Sequence, residues 1–213
     1  MNFLNEELEK FVNEHSSPES ELLLQLNRET NLKVLQPRML SGHLQGRVLS
    51  LFSKMIRPKR ILEIGTYTGY SALCLAEGLS EDGQLHSIDI NEELREMVEK
   101  YVKAAGFEEQ IQLHLGNALD IIPILKEDWD LVFIDADKTN YINYYHLLIE
   151  NLKSGSYIIA DNVLWSGKVL ENYDQQDEDT QTLIDFNQMI QADKRLENVL
   201  FPVRDGLMVA RVK

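Results

Sequence analysis

Apolar positions along the chain change their period near residue 58. Before that point they recur at helical spacing, as Leu22, Leu23 and Leu26 and then as Leu44, Val48, Leu49, Leu51 and Phe52, with a break near Pro37. From Lys59 onward, short apolar runs alternate with longer amphipathic stretches. Runs of strand type cover residues 60–64, 85–88, 111–115, 131–134, 157–160, 199–203 and 207–212; helical stretches cover 71–77, 92–105, 141–152 and 180–192. Seven strands with helices between the first five predict an α/β fold, a mostly parallel sheet with helices on both faces. The turn Arg204-Asp205-Gly206 joins the last two strands as a hairpin, so the sheet is expected to end in one antiparallel strand.

Composition narrows the function. The 213 residues suit one domain, and 35 Asp and Glu against 21 Lys and Arg give a net charge of −14. Such a balance, with no polybasic run, argues against a grip on long nucleic acid or an anionic membrane. The one cysteine, Cys74, excludes an internal disulfide or a cysteine-rich zinc site, and it is expected in the core. The acidic start does not resemble a signal peptide, and no run of about 18 apolar residues occurs, so a soluble cytoplasmic protein is expected. The acidic segment 174–179 precedes a helix and reads as a cap with a solvated loop. The five histidines, His15, His43, His86, His114 and His146, show no paired ligand spacing.

Ligands of open α/β sheets sit beyond the carboxyl ends of the strands, so the residues following each strand carry the candidate chemistry. Glu63-Ile64-Gly65-Thr66-Tyr67-Thr68-Gly69-Tyr70-Ser71 runs from a strand into a helix. Tyr67 stands where a dinucleotide fingerprint needs its middle glycine, which disfavours phosphate; Glu63 suits a ligand bearing an ammonium or sulfonium group, such as S-adenosylmethionine. The alternative is a tight turn with no ligand. Asp89 ends the next strand 89 − 65 = 24 residues after Gly65, a separation suited to ribose hydroxyls, or else it caps the helix near Asn91. Gly116-Asn117-Ala118 leaves room for an adenine ring, though such a pair is commonly only a turn. Asp135-Ala136-Asp137-Lys138 and Asp161-Asn162 follow two further strands. If those strands are neighbours, two carboxylates and an amide oxygen form a hard site that selects Mg²⁺, with Mn²⁺ or Ca²⁺ as alternatives.

Residues 61–71, 133–141 and 161–167 resemble the cation-dependent O-methyltransferases of the caffeoyl-CoA and catechol type, and the likeness runs from about Met39 to the end. It implies a Rossmann-like methyltransferase fold in a single domain, 1–213. Residues 1–57 would then be N-terminal helices serving an acceptor site or a dimer, and 58–213 the cofactor-binding core. S-adenosyl-L-methionine, a divalent cation and a homodimer are implied with it. Matched position by position, Met39, Glu63, Gly65, Thr66, Tyr67, Ser71, Asp89, Ala118, Asp135, Asp137 and Tyr144 fall at the cofactor. Asp135, Asp161 and Asn162 fall on the metal ligands, Lys138 on the proposed base with Asp135 beside it, and Met39 and Trp165 at the acceptor; His43, the one histidine near the predicted site, is a further acceptor candidate. Leu40-Ser41-Gly42-His43 differs from the family's usual residues after the methionine, and Arg204 stands where plant members often have glycine.

The expected activity is methylation of a small vicinal dihydroxy aromatic. A metal lowers the phenol pKa from about 10, and Lys138 takes the proton if burial and the metal depress its own pKa. Two other readings compete. One is methylation of a hydroxylated tRNA base such as 5-hydroxyuridine, helped by Arg57, Lys59 and Arg60; the other is a non-catalytic cofactor-binding protein. A nicotinamide oxidoreductase fits less well, given Tyr67 and Glu63.

Overall fold

A computed structural model describes residues 5–213; residues 1–4, the start of the expected N-terminal helical region, lie outside the described residues. The chain forms two compact units, one ending at Asn117 and one running from Ala118 to Lys213.

The first unit begins with α1 (Glu6–Glu14) and α2 (Glu21–Lys33), each started by a side-chain cap: Asn5 accepts from the Leu8 amide and Ser20 from the Leu23 amide. Pro37 opens a 3-10 turn at Pro37–Met39, and α3 (Gly42–Ile56) follows. Then come β1 (Arg60–Ile64), α4 (Tyr70–Ala76), β2 (Gln84–Asp89), α5 (Arg95–Ala105) and β3 (Ile111–Leu115). β2 pairs in parallel with both β1 and β3. The N-terminal helices belong to the same unit as these strands because they are bonded into it. Ser53 of α3 donates to the Leu75 carbonyl at 2.6 Å, and Thr30 of α2 to Thr68 at 3.2 Å, with all three side chains buried or in the core. α3 and α4 approach closely: a Cβ on Gly46 would lie 2.6 Å from the Tyr70 ring, and one on Gly78 2.2 Å from the Ser53 backbone.

The second unit contains α6 (Ala118–Leu125), β4 (Leu131–Ile134), α7 (Tyr141–Ile149), β5 (Tyr157–Ala160), α8 (Glu178–Ala192), β6 (Leu196–Phe201) and β7 (Leu207–Val212). β4 and β5 are parallel, while β7 is antiparallel to both β5 and β6. The antiparallel strand therefore lies inside the sheet, and the edge is β6. Asp177 caps α8 by accepting from the Thr180 amide, as its acidic approach suggested.

Several boundaries differ from the pattern reading by a few residues, and one helix is absent from it. β6 starts at Leu196 rather than 199, and Pro202, which has no amide to donate, follows its end at Phe201. α7 stops at Ile149 rather than 152. α6 was not foreseen, because its eight residues are almost all apolar and include Pro123, so no amphipathic period marks them. Arg204 takes the left-handed conformation, φ 49°, that suits glycine at the hairpin tip. Among the described residues no helix is long and apolar enough to cross a membrane.

Candidate active site

In the first unit the register sets Glu63 of β1 beside Ser87 of β2. Glu63 is fully buried and accepts from the Ser87 hydroxyl, which lies 2.5 Å from the Thr66 hydroxyl. The loop then turns through Gly65 (φ 102°), Tyr67 (φ 49°) and Gly69 (φ 86°) before α4 begins. Tyr67 holds a conformation that costs a side chain roughly 1–2 kcal/mol, and two bonds hold it there. Its amide donates to Asp89 Oδ2 at 2.7 Å, and its hydroxyl donates to the Gln36 carbonyl at 2.9 Å. Asp89 Oδ1 accepts from the Asn91 amide at 2.8 Å, so the two readings of Asp89, local cap and ribose carboxylate, are compatible. Each oxygen keeps a second acceptor direction for a vicinal pair of hydroxyls. A narrow cleft lined by Thr66, Tyr67, Asp89, Arg95 and His114 opens beside this carboxylate. Ser71 is buried in the first turn of α4. The Gly116 amide donates to the Asp89 carbonyl, which holds the end of β3 against the same carboxylate's backbone.

Two acceptor-side candidates also belong to this unit. Met39, at the end of the 3-10 turn, is 54% exposed. His43 Nε2 donates to the Ser17 carbonyl at 2.7 Å, so its ring ties the loop after α1 to α3. His86 and His114, expected as scattered residues, are brought together by the pairing of β2 with β3, with Nδ1 and Nε2 3.0 Å apart in stacked rings. Burial lowers the His114 pKa.

In the second unit, Ile134 of β4 is registered with Ala160 of β5. The residues that follow them, Asp135 and Asp161, therefore end adjacent parallel strands. The Asp161 amide also donates to the Ile134 carbonyl at 2.9 Å. Asp161 is buried, and its Oδ1 accepts from the amide of Asn162, which turns left-handed at φ 60°. Lys138 is also buried. Its Nζ donates to Asp135 Oδ1 at 3.2 Å and to Tyr141 Oη at 2.7 Å, and sits 5.9 Å from the Trp165 ring centre. The Tyr141 hydroxyl in turn has the Asp161 carbonyl within 3.0 Å. Burial, then the nearby carboxylates, push its pKa well above the usual range. Asp137 accepts from Tyr144 at 2.5 Å and from Asn140. Ala118 is buried at the start of α6.

Trp165, Ser166 and Gly167 are three successive left-handed residues. The indole Nε1–H of Trp165 is buried and has no hydrogen-bond partner among the described residues, an unusual state for a buried donor. Two participants escaped the sequence reading. Tyr141 stands three residues after Lys138, a spacing at which helical side chains meet, and that spacing is the signal that could have found it. Ser87 could have been found only from the register that pairs it with Glu63.

Among the described residues no group of three or more His, Cys, Asp and Glu is placed to hold a metal. A site formed by Asp135 and Asp161 would take its third donor from the Asn162 amide oxygen. All three donors are hard oxygens, which fits a small divalent cation and leaves positions for water and substrate.

A glycine-turned loop after β1 and an acidic end to β2 are the marks of an α/β fold that binds an adenosine cofactor. A family model described as O-methyltransferase matches residues 13–213. Caffeoyl-CoA O-methyltransferase 2 of Populus trichocarpa is 37% identical over 180 residues, covering 78% of this chain and 72% of its own. The caffeoyl-CoA O-methyltransferase of Stellaria longipes is 34% identical over 203 residues, covering 91% and 84%. Among solved structures, the O-methyltransferase TomG of Streptomyces achromogenes, in complex with SAM, superposes with a TM-score of 0.88 at 27% identity, covering 97% of this chain and 96% of its own. The Bacillus cereus O-methyltransferase in complex with SAH gives 0.86 at 29% identity, covering 97% of each. The chain belongs to the S-adenosylmethionine-dependent O-methyltransferases of the caffeoyl-CoA O-methyltransferase-like family.

Proposed function

We propose that the protein transfers a methyl group from S-adenosylmethionine to one hydroxyl of a small vicinal dihydroxy aromatic, with a divalent cation held by Asp135, Asp161 and Asn162. The observation that carries this reading is the register of β4 with β5, which ends two neighbouring strands in carboxylates beside the buried Lys138.

The first unit supplies the donor site. Glu63 offers a buried carboxylate to the cationic methionine end, and Asp89 accepts from the ribose hydroxyls. Ser71 and the Gly65–Tyr67 backbone line the loop; in the second unit, Asp137 and Tyr144 are bonded to each other. When bound, the cation supplies charge that stabilises the ionised acceptor hydroxyl. As the neutral amine, having first given its own proton to solvent, Lys138 Nζ takes that hydroxyl's proton and becomes the ammonium, and Tyr141, bonded to Nζ, fixes where it points. Trp165, whose ring lies 5.9 Å from Lys138 Nζ, offers a flat face to the acceptor ring. The S–CH₃ bond breaks as the O–CH₃ bond forms, and positioning does most of the work. We take the chain to act as a pair of copies, as the family resemblance implies.

The test is transfer of labelled methyl from S-adenosylmethionine to a 3,4-dihydroxyphenyl acid, with Mg²⁺ and again with excess EDTA. Turnover abolished by EDTA supports the reading. No turnover in a preparation that binds the donor rejects the catechol acceptor and turns attention to hydroxylated RNA bases.

A further inference from the structure

The turn that joins β6 to β7 carries an arginine where its backbone suits glycine. The Gly206 amide donates to the Val203 carbonyl at 2.9 Å, which makes Arg204 the first central residue of a four-residue turn. Its φ of 49° is strained for any residue with a Cβ, and strain of this kind clusters where a loop is held for a ligand. The turn also has a set place. β7 is antiparallel to β5 with Met208 opposite Ala160, so the turn before β7 stands at the edge where Asp161 and Asn162 follow β5. Three bonds that bracket Trp165 fasten the two loops together. The Val163 amide donates to the Gly206 carbonyl at 3.2 Å, the Leu164 amide to the Asp205 carbonyl at 2.9 Å, and the Ser166 amide to Asp205 Oδ1 at 2.5 Å. A Cβ on Gly206 would lie 2.5 Å from Leu164 Cγ, so the contact between the loops is tight.

We propose that Arg204 is a specificity residue for the acceptor: its guanidinium receives a carboxylate on the substituent that projects from the ring past Trp165. The proposal deepens, and rests on, the reading of a vicinal dihydroxy aromatic held at Asp135, Asp161 and Asn162 with its ring against Trp165. An acceptor so held carries its substituent on the side of the ring away from the two hydroxyls, and the bonds around Trp165 set the Arg204 turn beside that residue. Charge makes the arginine the selective element. Residues 162–168 and 203–206 include three charged side chains, Lys168, Arg204 and Asp205. Lys168 is bonded to Asp177 at 3.1 Å and Asp205 to the Ser166 amide, while Arg204 is exposed at the tip. The site's own Asp135, Asp137 and Asp161, in a chain of net charge −14, make a field that repels anions. An anionic acceptor therefore needs a fixed cation at its far end. A guanidinium offers a carboxylate two parallel hydrogen bonds, where an ammonium offers a point charge. A neutral acceptor gains nothing from a side chain kept on a strained turn.

The experiment compares 3,4-dihydroxyphenylacetic acid with its uncharged methyl ester, on the native chain and on Arg204→Gly. Glycine suits the φ of this turn, and circular dichroism checks that the variant folds. We expect the native chain to favour the acid in kcat/KM, and Arg204→Gly to lower the acid-to-ester ratio by about 10-fold or more, through KM rather than kcat. Calorimetric titration of both acceptors, with Mg²⁺ and S-adenosylhomocysteine present, reads the same preference as binding, without turnover. A ratio that Arg204→Gly leaves unchanged, or equal affinity of the native chain for acid and ester, overturns the role of Arg204 and leaves the methyl-transfer reading standing. Preferential binding of the acid that is lost in Arg204→Gly, with neither acceptor methylated by the native chain, upholds the role and overturns the transfer reading. Binding of neither acceptor overturns both.

Discussion

Asp89 and Asp135 both follow strand residues at the carboxyl edge of the sheet, one in each unit, yet they are held in different ways. Both oxygens of Asp89 accept backbone amides, from Tyr67 and Asn91. Asp135 is held by the side-chain ammonium of Lys138, at 3.2 Å. Backbone amides are fixed by the fold, so Asp89 is a permanent acceptor aimed at neutral donors such as sugar hydroxyls. An ammonium on a flexible stem can move, so Asp135 can exchange one cation for another. The contrast divides recognition of the donor from activation of the acceptor.

The largest expected effect comes from breaking the exchangeable side. Asp161→Ala or Asp135→Ala should lower kcat/KM by about 100-fold or more while changing the donor dissociation constant by less than about threefold. Calorimetric titration alongside the methyl-transfer assay checks this, and equal loss of both in a folded variant would count against the division. Asp89→Ala should do the reverse. Removing charged hydrogen bonds to the donor should weaken its binding by roughly 10- to 100-fold, with turnover at saturating donor much less affected.

Acid sharpens the comparison, because carboxylates held by cations carry linkage. Burial raises the pKa of Glu77, but bonds from Arg47, Lys54 and Ser50 outweigh it and bring it down to about 2 from 4.5. A depressed folded pKa means that this stabilisation is complete above pH 4.5 and is lost as pH falls toward about 2. Chemical denaturation across that window should show Glu77→Gln less stable than the native chain at neutral pH, with the gap closing in acid. The smallest effect is expected from Tyr67→Phe. It removes only the hydroxyl bond to Gln36, worth about 1 kcal/mol, and should lower Tm by about 2–4 °C.

Much of the candidate site was legible because loops following strands announce themselves locally. Gly65, Tyr67 and Gly69 mark a turn whatever surrounds them, and Asp135 and Asp161 could be matched once two apolar runs were read as strands. Ser87 was not legible, since nothing near it in the chain points to Glu63; only parallel pairing brings them together. The His86–His114 pair was missed for the same reason. α6 escaped because an all-apolar stretch has no period to read, and the exposure of Leu51 and Met55 on α3 escaped because their spacing looks like that of any core-facing helix.

The chain's own pattern therefore determined the order of strands and helices, the glycine-turned loop, the carboxylates at strand ends and the family, all of which rest on neighbours in sequence. Tertiary structure decided what depends on distance across the chain: that β4 lies beside β5 so that Asp135 and Asp161 end together, that Lys138 rests against Tyr141 and Trp165, and that α3 turns its small polar side inward. Hydrophobic spacing says that a helix has an apolar side. Which side the core takes depends on how closely the next helix can approach, and here Gly46, Gly78 and Ser53 set that distance.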